Sequence, residues 1–275
     1  MSRAPAVRVV LGNSRRMEQL QDGSVALAVT SPPYPMIAMW DGLFASQGAR
    51  SYDEMHARLD EVWREVARVL VPGGLACVVV GDALRKVDGR FRLFPNHARV
   101  MESFLALGLD ALPYILWKKP TNKPNAFLGS GFLPPNAYVT LDCEFILIFR
   151  KGALRKFPRL DETRTRSVYT KAERDVWFSQ VWEVKGSKQA RGEGARRSAA
   201  FPPEVPRRLI SMFSVEGDLV LDPFVGTGTT LAEAARLKRD ALGFEVDEGL
   251  RGEIERCVEG AGASCSFERA DGPNG

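Results

Sequence analysis

The sequence has few of the residues that build metal centres and disulfide frameworks. It contains two histidines, His56 and His97, and four scattered cysteines without a Cys-x-x-Cys pair. Isolated histidines and widely spaced cysteines are typical neither of a zinc site nor of a disulfide scaffold. We therefore expect no bound metal, and we expect most of the thiols to be buried and free.

Long apolar runs are also missing. No stretch of the 275 residues approaches the roughly 18 apolar residues that span a bilayer, and the amino terminus lacks the apolar core of a signal peptide. These absences predict a cytoplasmic protein with no membrane partner. The apolar content of 45% and the charged content of 26% are ordinary for a globular protein, and the length suits one large α/β domain, with or without an insertion.

Charge is distributed unevenly, although the net charge is only +4. Between Arg150 and Ile210 there are 16 Lys and Arg against 7 Asp and Glu, a net of +9, so the rest of the chain carries −5. A solvated surface is the usual explanation of basic residues, but this concentration favours a polyanionic partner. The part from 185 to 198 is low in apolar residues and is expected to be disordered without that partner. We interpret the segment as an insertion that faces nucleic acid.

A first motif, Thr30-Ser31-Pro32-Pro33-Tyr34, follows an apolar strand predicted over 25–29. In open α/β sheets, ligands bind at the carboxyl ends of the strands. The prolines stiffen the backbone and have no N–H groups, which leaves carbonyl acceptors. Ser31 adds a hydroxyl and Tyr34 an aromatic face. The motif therefore suits an exocyclic amino group on a planar base, and a proline-rich turn without chemistry is the alternative.

A second motif lies near the carboxyl terminus. The turn Gly226-Thr227-Gly228 stands between a strand predicted over 218–221 and a helix predicted over 231–237, which lets a ligand approach the backbone. Glu245 ends the next strand, about 20 positions later, where an acidic side chain can accept hydrogen bonds from ribose hydroxyls. The full dinucleotide fingerprint and a phosphate-binding lysine are both missing. Adenosine without a phosphate chain is therefore the better ligand, and S-adenosylmethionine is one such ligand.

Ser51 and Glu54 form the capping-box pattern at the start of a helix, and apolar residues follow at helical spacing, among them Leu59 and Val62. The continuous apolar run over 75–80 is typical of a strand that is covered on both faces.

The rest of the pattern alternates between strands and helices. Further strands are expected at 7–11, 75–80, 112–117 and 143–149, the last two antiparallel, and helices at 14–20, 51–70, 96–107, 204–213 and 248–258. Residues 35–50 are expected to form a mobile, partly apolar loop over the site, with packing on the core as the alternative. The tail after Gly260 is expected to fray. We predict one twisted sheet in which residues 7–149 and 201–258 interleave.

The order of these motifs resembles that of the β-class DNA amino-methyltransferases, in which the catalytic motif precedes the target-recognition segment and the cofactor motif comes last. The matching stretches are Gly12-Asn13-Ser14, Thr30 to Tyr34, Leu70 to Gly74, Trp117-Lys118-Lys119, Ala200-Phe201-Pro202, Asp222 to Thr230 and Phe244-Glu245. The resemblance implies an α/β, Rossmann-like and circularly permuted S-adenosylmethionine methyltransferase sheet. Its parts would be a catalytic half (1–149), a basic target-recognition insertion (150–200) and a cofactor-binding half (201–275).

The resemblance also implies roles for individual residues. The expected catalytic residues are Ser31, Pro32, Pro33 and Tyr34. The expected cofactor contacts are Asn13, Phe201, Pro202, Asp222, Pro223, Phe224, Gly226, Gly228, Thr229 and Glu245. The expected DNA contacts are Lys118, Lys119, Arg164, Arg166, Lys185, Lys188 and Arg191. Two positions depart from the family pattern, because Asn13 stands where Asp is usual and Arg197-Ser198 replace a common His-Pro.

Ser31 bears on the target base. Family members with Asp at this position mostly methylate adenine N6, whereas members with Ser mostly methylate cytosine N4. The resemblance therefore implies S-adenosylmethionine-dependent methylation of cytosine N4, on a base flipped out of double-stranded DNA. Adenine N6 is the alternative, and C5 methylation is disfavoured because no Pro-Cys element occurs.

Other classes of function stay open at this point. An RNA or protein methyltransferase is less favoured by the motif order, and a cofactor-binding DNA regulator without catalysis is the hypothesis from another class. A cognate restriction endonuclease and a homodimer are further partners that the resemblance suggests.

Overall fold

The computed structural model describes residues 3–119, 134–136, 138–186 and 200–270. The strands in these ranges are β1 (Val7–Leu11), β2 (Val25–Thr30), β3 (Leu70–Val80), β4 (Ala83–Val87), β5 (Arg90–Phe94), β6 (Asp110–Lys118), β7 (Cys143–Arg150), β8 (Val181–Glu183), β9 (Leu219–Asp222), β10 (Asp240–Glu245) and β11 (Cys265–Arg269). The α-helices are α1 (Asp41–Ser46), α2 (Tyr52–Val69), α3 (Asn96–Ala106), α4 (Glu162–Arg166), α5 (Lys171–Trp177), α6 (Glu204–Phe213), α7 (Thr229–Arg236) and α8 (Arg251–Glu259).

One large sheet organises the part of the chain that the structure describes, with strand order β11-β1-β10-β9-β2-β3-β7-β6-β8. Strand β7 is antiparallel to both of its neighbours, and the other pairings in this sheet are parallel. Strand β1 lies between β10 and β11, and β2 lies between β9 and β3. Strands from the two ends of the sequence therefore interleave, which confirms the predicted α/β sheet.

Helices cover both faces of the sheet, as mostly parallel sheets require. The apolar sides of α2 and α3 pack on one face, where Trp63 and Phe104 are fully buried. The apolar sides of α6, α7 and α8 pack on the other face. Helix α2 begins at the predicted capping box, in which the Ser51 side chain accepts a hydrogen bond from the Glu54 N–H. Among the helices of the described ranges, none is long and apolar enough to cross a membrane.

The helix predicted over 14–20 does not form, and the chain makes turns there instead. The carboxylate of Glu65 accepts a hydrogen bond from the Met17 N–H, and the guanidinium of Arg68 donates to the carbonyls of Met17 and Leu20. Side chains of α2 thus satisfy the backbone groups that a helix would have paired internally.

Three further expectations need correction. Residues 35–50 contain a 3₁₀ turn (Ala38–Trp40) and helix α1, whose Phe44 is buried in the core, as the alternative of packing on the core predicted. Within the tail that was expected to fray after Gly260, residues Cys265–Arg269 form β11 at the sheet edge. The hairpin β4–β5 was missed, although Asp88-Gly89, both with positive φ, is a standard signal for a two-residue hairpin turn. Of the four free cysteines, only Cys77 is fully buried.

The segment 150–186 packs closely on the main sheet. Strand β8 pairs in parallel with β6, and both Trp177 and Trp182 are buried in the core. These two rings are therefore core residues and are not available to DNA. The disorder expected for 185–198 concerns mainly residues that lie outside the described ranges.

Candidate functional site

A cavity of about 540 Å³ opens at the carboxyl ends of β2, β9 and β10, which is a normal size for a small-molecule site. The residues predicted for catalysis and cofactor binding line it, apart from Pro202 and Gly228. Gly228 precedes α7 in a left-handed conformation (φ +90°), and the Pro202 carbonyl accepts the Val205 N–H. These two residues shape the backbone around the cavity without lining it.

The expectation that residues 35–50 lie over the site accounts for part of a further wall of the cavity, which Leu59 and Val62 of α2 complete. This wall is apolar and comes from the 3₁₀ turn, α1 and α2, with the side chains of Met39, Trp40, Leu43, Phe44, Leu59 and Val62. Periodicity marked Leu59 and Val62 only as core positions. Their second role depends on how α2 packs against the sheet.

The glycine turn is tied to Glu245. One carboxylate oxygen accepts the Gly226 N–H and the other accepts the Asp247 N–H, each at 2.8 Å. The Glu245 carbonyl accepts the Gly12 N–H, also at 2.8 Å, which brings the turn at Asn13 to the same edge. Burial raises the pKa of Glu245, although the two backbone N–H groups act in the opposite direction.

Asn13 uses its side-chain oxygen locally. This oxygen accepts hydrogen bonds from the Arg15 N–H at 3.1 Å and from Arg15 Nε at 3.3 Å. The first is an Asx-type turn, which either Asn or Asp can form. The backbone geometry here therefore does not require the Asp that is usual in the family.

Asp222 joins the two motifs directly. Its carboxylate accepts a hydrogen bond from the Thr30 hydroxyl at 2.6 Å and another from the Phe224 N–H at 3.0 Å. The side chain is buried, and this burial raises its pKa to about 6. The end of β2 and the end of β9 are thus held together across 192 positions of sequence.

The catalytic motif has a hydrogen-bond network of its own. The Ser31 hydroxyl lies 2.9 Å from the Tyr34 hydroxyl, which donates to the Glu144 carboxylate at 3.1 Å. Glu144 also pairs with the Lys119 ammonium. Burial, and then the charge of Glu144, raises the pKa of Tyr34 well above its usual range. The phenol is therefore neutral at physiological pH and cannot serve as a base.

A buried amide supports the backbone of the motif. Asn96 Nδ2 donates to the carbonyls of Pro35 and Gly81, each at 3.0 Å. Its oxygen therefore faces His56 Nε2, 3.1 Å away, and this ring nitrogen carries the hydrogen. Burial lowers the pKa of His56 to about 4, so the imidazole is neutral at pH 7.

The predicted DNA contacts fall into three groups. Lys118, Arg164 and Lys185 are exposed. Arg166 forms ion pairs with glutamates, and so does Lys119. Lys188 and Arg191 lie outside the described residues.

Part of the positive charge of this segment is neutralised within the protein. Arg155 makes a two-bond pair with Asp218, at 2.7 and 2.8 Å, and Arg166 pairs with Glu162 and Glu216. The net charge of the segment therefore overstates the number of cations that are available to a polyanion.

A family model described as DNA methylase, of the N6/N4 type, matches residues 25–256. The chain belongs to this DNA methylase family. The match spans both motifs of the cavity and the segment between them.

Curated relatives agree with this assignment. The Type II methyltransferase M.MjaI of Methanocaldococcus jannaschii is 55% identical to this chain over an alignment 274 residues long. The alignment covers 91% of this chain and 90% of the relative. The Type II methyltransferase M.MthZI of Methanothermobacter thermautotrophicus is 46% identical, over 90% of this chain and 75% of the relative.

A solved structure extends the similarity to three dimensions. The protein TTHA0409 of Thermus thermophilus, crystallised with S-adenosyl-L-methionine, matches this DNA methylase with a TM-score of 0.76 and 35% identity. The alignment covers 97% of this chain and all of that one. The α/β methyltransferase fold and the family membership therefore rest on both sequence and structure.

The cavity fits S-adenosylmethionine, the cofactor of this family. Each carboxylate oxygen of Glu245 accepts one hydrogen bond from a backbone N–H, that of Gly226 or that of Asp247. Because each oxygen can accept about two hydrogen bonds, capacity remains for a pair of hydroxyl groups. The glycine turn presents backbone to the cavity, and the apolar wall offers a surface for a flat ring.

Proposed function

We propose that this methylase transfers a methyl group from S-adenosylmethionine to the exocyclic N4 amino group of a cytosine that is flipped out of double-stranded DNA. The observation that carries the proposal is the placement of the Ser31 hydroxyl in the same cavity as the glycine turn and Glu245. The relatives M.MjaI and M.MthZI are Type II methyltransferases, which supports a role in a restriction–modification system.

The first requirement is to hold the cofactor. Glu245 would accept the ribose hydroxyls, the backbone at Gly226 would lie against the ligand, and Phe224 would line the cavity beside it. When bound, S-adenosylmethionine supplies an electrophilic methyl group on a positively charged sulfur.

The second requirement is to orient a weak nucleophile. The lone pair of an aromatic amino group is delocalised into its ring. If the Ser31 hydroxyl and the Pro32 carbonyl accept its two hydrogens, a pyramidal nitrogen is favoured and its lone pair is directed at the methyl group. Preorganised acceptors of this kind act where charge develops, and alignment of the two reactants removes much of the entropic barrier.

Proton loss does not need a strong base on the protein. The neutral Ser31 and the neutral Tyr34 are both weak bases, and the methylated amine becomes strongly acidic once the nitrogen carries positive charge. We assign the proton to water after methyl transfer. The Tyr34 ring, which lies against Gly81, would support the flipped base.

DNA binding would use exposed cations at the edge of the sheet where the cavity opens. Lys118 at the end of β6 and Lys185 just after β8 are exposed there, whereas α4, which carries Arg164, packs beside Glu216 before β9, at the opposite edge. The missed hairpin β4–β5 adds Lys86, Arg90 and Arg92, which are all exposed. Neutralisation of phosphates by such residues would give the salt dependence that is typical of DNA binding.

Mass spectrometry of digested product DNA tests the base assignment. The purified enzyme, S-adenosylmethionine and unmodified genomic DNA should yield N4-methylcytosine. Substitution of Ser31 by Ala should lower turnover by roughly 10²-fold, as loss of one preorganised polar partner can do, with little change in cofactor affinity. N6-methyladenine as the main product would refute the cytosine assignment and leave the family assignment intact.

A further inference from the structure

Four side chains form a line that leads away from the cavity: Ser31, Tyr34, Glu144 and Lys119. The Ser31 and Tyr34 oxygens are 2.9 Å apart, Tyr34 and Glu144 are joined by a 3.1 Å hydrogen bond, and Glu144 pairs with the Lys119 ammonium. Ser31 and Tyr34 line the cavity, whereas Glu144 and Lys119 do not. The function proposed above uses only the two residues that face the substrate.

The hydrogens in this line can be placed by counting donors. A carboxylate only accepts, and an ammonium only donates. The single hydroxyl hydrogen of Tyr34 is given to Glu144. Its oxygen can then only accept in the contact with Ser31, so the Ser31 hydroxyl hydrogen points towards Tyr34.

This direction decides what Ser31 presents to the substrate. With its hydrogen committed to Tyr34, the Ser31 oxygen has its lone pairs left for the cavity. A hydroxyl with a free rotor could equally point its hydrogen at the incoming amino group, which is itself a donor. Ser31 would then repel the group that it has to bind.

We propose that Glu144 is a positioning residue that makes Ser31 a hydrogen-bond acceptor, acting through the Tyr34 hydroxyl. The proposal rests on the role of Ser31 as an acceptor for an amino group. It holds equally for cytosine N4 and adenine N6, because both present two hydrogens.

The sheet independently favours this contact. Val80 pairs with Phe145 in the antiparallel ladder between β3 and β7, which places Gly81 beside Glu144. A Cβ atom at Gly81 would lie 3.0 Å from the Tyr34 ring and 3.2 Å from Glu144 Cγ. Both distances are tighter than ordinary packing, so the absence of a side chain at Gly81 leaves room for the phenol and the carboxylate to meet.

The substitution Glu144→Gln should reverse the direction of the hydrogen bonds among Ser31, Tyr34 and residue 144, while the positions of the side chains stay the same. Lys119 can only donate, so it retains the amide oxygen and turns the NH₂ group towards Tyr34. The Tyr34 oxygen then accepts, and its hydrogen moves to Ser31 and occupies a lone pair that the substrate needs. We expect the single-turnover rate of methyl transfer to fall at least tenfold at saturating DNA and S-adenosylmethionine, with the affinity for both and the Tm unchanged.

Double variants separate this role from a structural one. In Tyr34→Phe and in Ser31→Ala backgrounds, Glu144→Gln should change the remaining rate by less than about twofold, because its effect passes through both hydroxyls. An equal loss in all backgrounds, or no loss in the parent, would overturn the proposal. If Glu144→Gln lowers the Tm, Glu144→Ala is used instead, because it also leaves Ser31 as the acceptor for the Tyr34 hydrogen.

A second readout does not depend on methyl transfer. In an NMR spectrum, the ¹³Cζ signal of Tyr34 is assigned by its loss in Tyr34→Phe. The chemical shift of this signal should change in Glu144→Gln. A signal that stays in place would overturn the hydrogen bond itself. Failure of the proposed function gives a different result. If N6-methyladenine is the product, the target base changes, but the comparison of single and double variants still tests the role of Glu144. A fully active Ser31→Ala variant would refute the acceptor role of Ser31 directly.

Discussion

Glu245 offers the sharpest test of the cofactor site, because its two carboxylate oxygens are bonded to two backbone donors. They accept the N–H groups of Gly226 and Asp247, each at 2.8 Å. In Glu245→Gln the side chain keeps its length but has one acceptor oxygen. The NH₂ group must then face one of the two N–H groups, so one charge-assisted hydrogen bond is replaced by a contact between donors.

For the ligand, the magnitude follows from the ribose hydroxyls, which would meet a neutral amide with one acceptor oxygen in place of a carboxylate with two. Hydrogen bonds to charged groups contribute about 1.5–3 kcal/mol, and about 1.4 kcal/mol corresponds to tenfold in affinity. S-adenosylmethionine should therefore bind roughly 10- to 150-fold more weakly to Glu245→Gln. The same substitution should lower the Tm, because the glycine turn loses an anchor in the free protein as well.

Isothermal titration calorimetry with S-adenosylmethionine measures this directly. Glu102→Gln is the matched control, since Glu102 has 75% of its side chain exposed on α3 and does not line the cavity. The control should bind like the parent. A Glu245→Gln variant that binds within twofold of the parent would refute the role of Glu245 in holding the turn and the ligand.

Three further predictions concern pH, packing and DNA. Burial raises the pKa of Asp222 from 3.8 to about 6, so the protonated carboxyl favours the folded state. The stability that this protonation adds is fully present below about pH 4 and is lost as the pH rises through 6. Urea unfolding should show the parent losing about 3 kcal/mol relative to Asp222→Asn over this range, and parallel profiles would contradict it. In Gly243→Ala the new Cβ would lie 2.9 Å from a backbone oxygen and 2.2 Å from a side-chain carbon. Calorimetry should therefore show that the free energy of unfolding falls by about 1–3 kcal/mol. The control Gly42→Ala, which has open space around the new Cβ, should show no such loss. Lys185→Ala should flatten the salt dependence of DNA binding by about one unit, and Arg164→Ala, at the opposite edge of the sheet, should change it less; the reverse order would exclude Lys185 as a phosphate contact.

Local sequence patterns predicted most of the elements near the site. The continuous apolar run before Gly81 marked a strand that is covered on both faces, and the Ser51 capping box marked the start of α2. The helix expected over 14–20 failed for a tertiary reason, because Glu65 and Arg68 of α2 take over its backbone groups. Propensity cannot anticipate a partner that comes from another element.

The sequence by itself determined which reactive and binding groups follow the strands. Ser31 follows β2, the glycine turn follows β9, and Glu245 ends β10. These are backbone-local signals, and a parallel sheet brings the ends of its strands to one edge. Only the tertiary structure decided which distant side chains complete the site. Glu144 is an ordinary acidic residue at the start of a strand, 110 positions from Tyr34. It reaches the phenol because the register of β3 and β7 sets Glu144 beside Gly81, and pairing register depends on the whole sheet rather than on any short stretch of sequence.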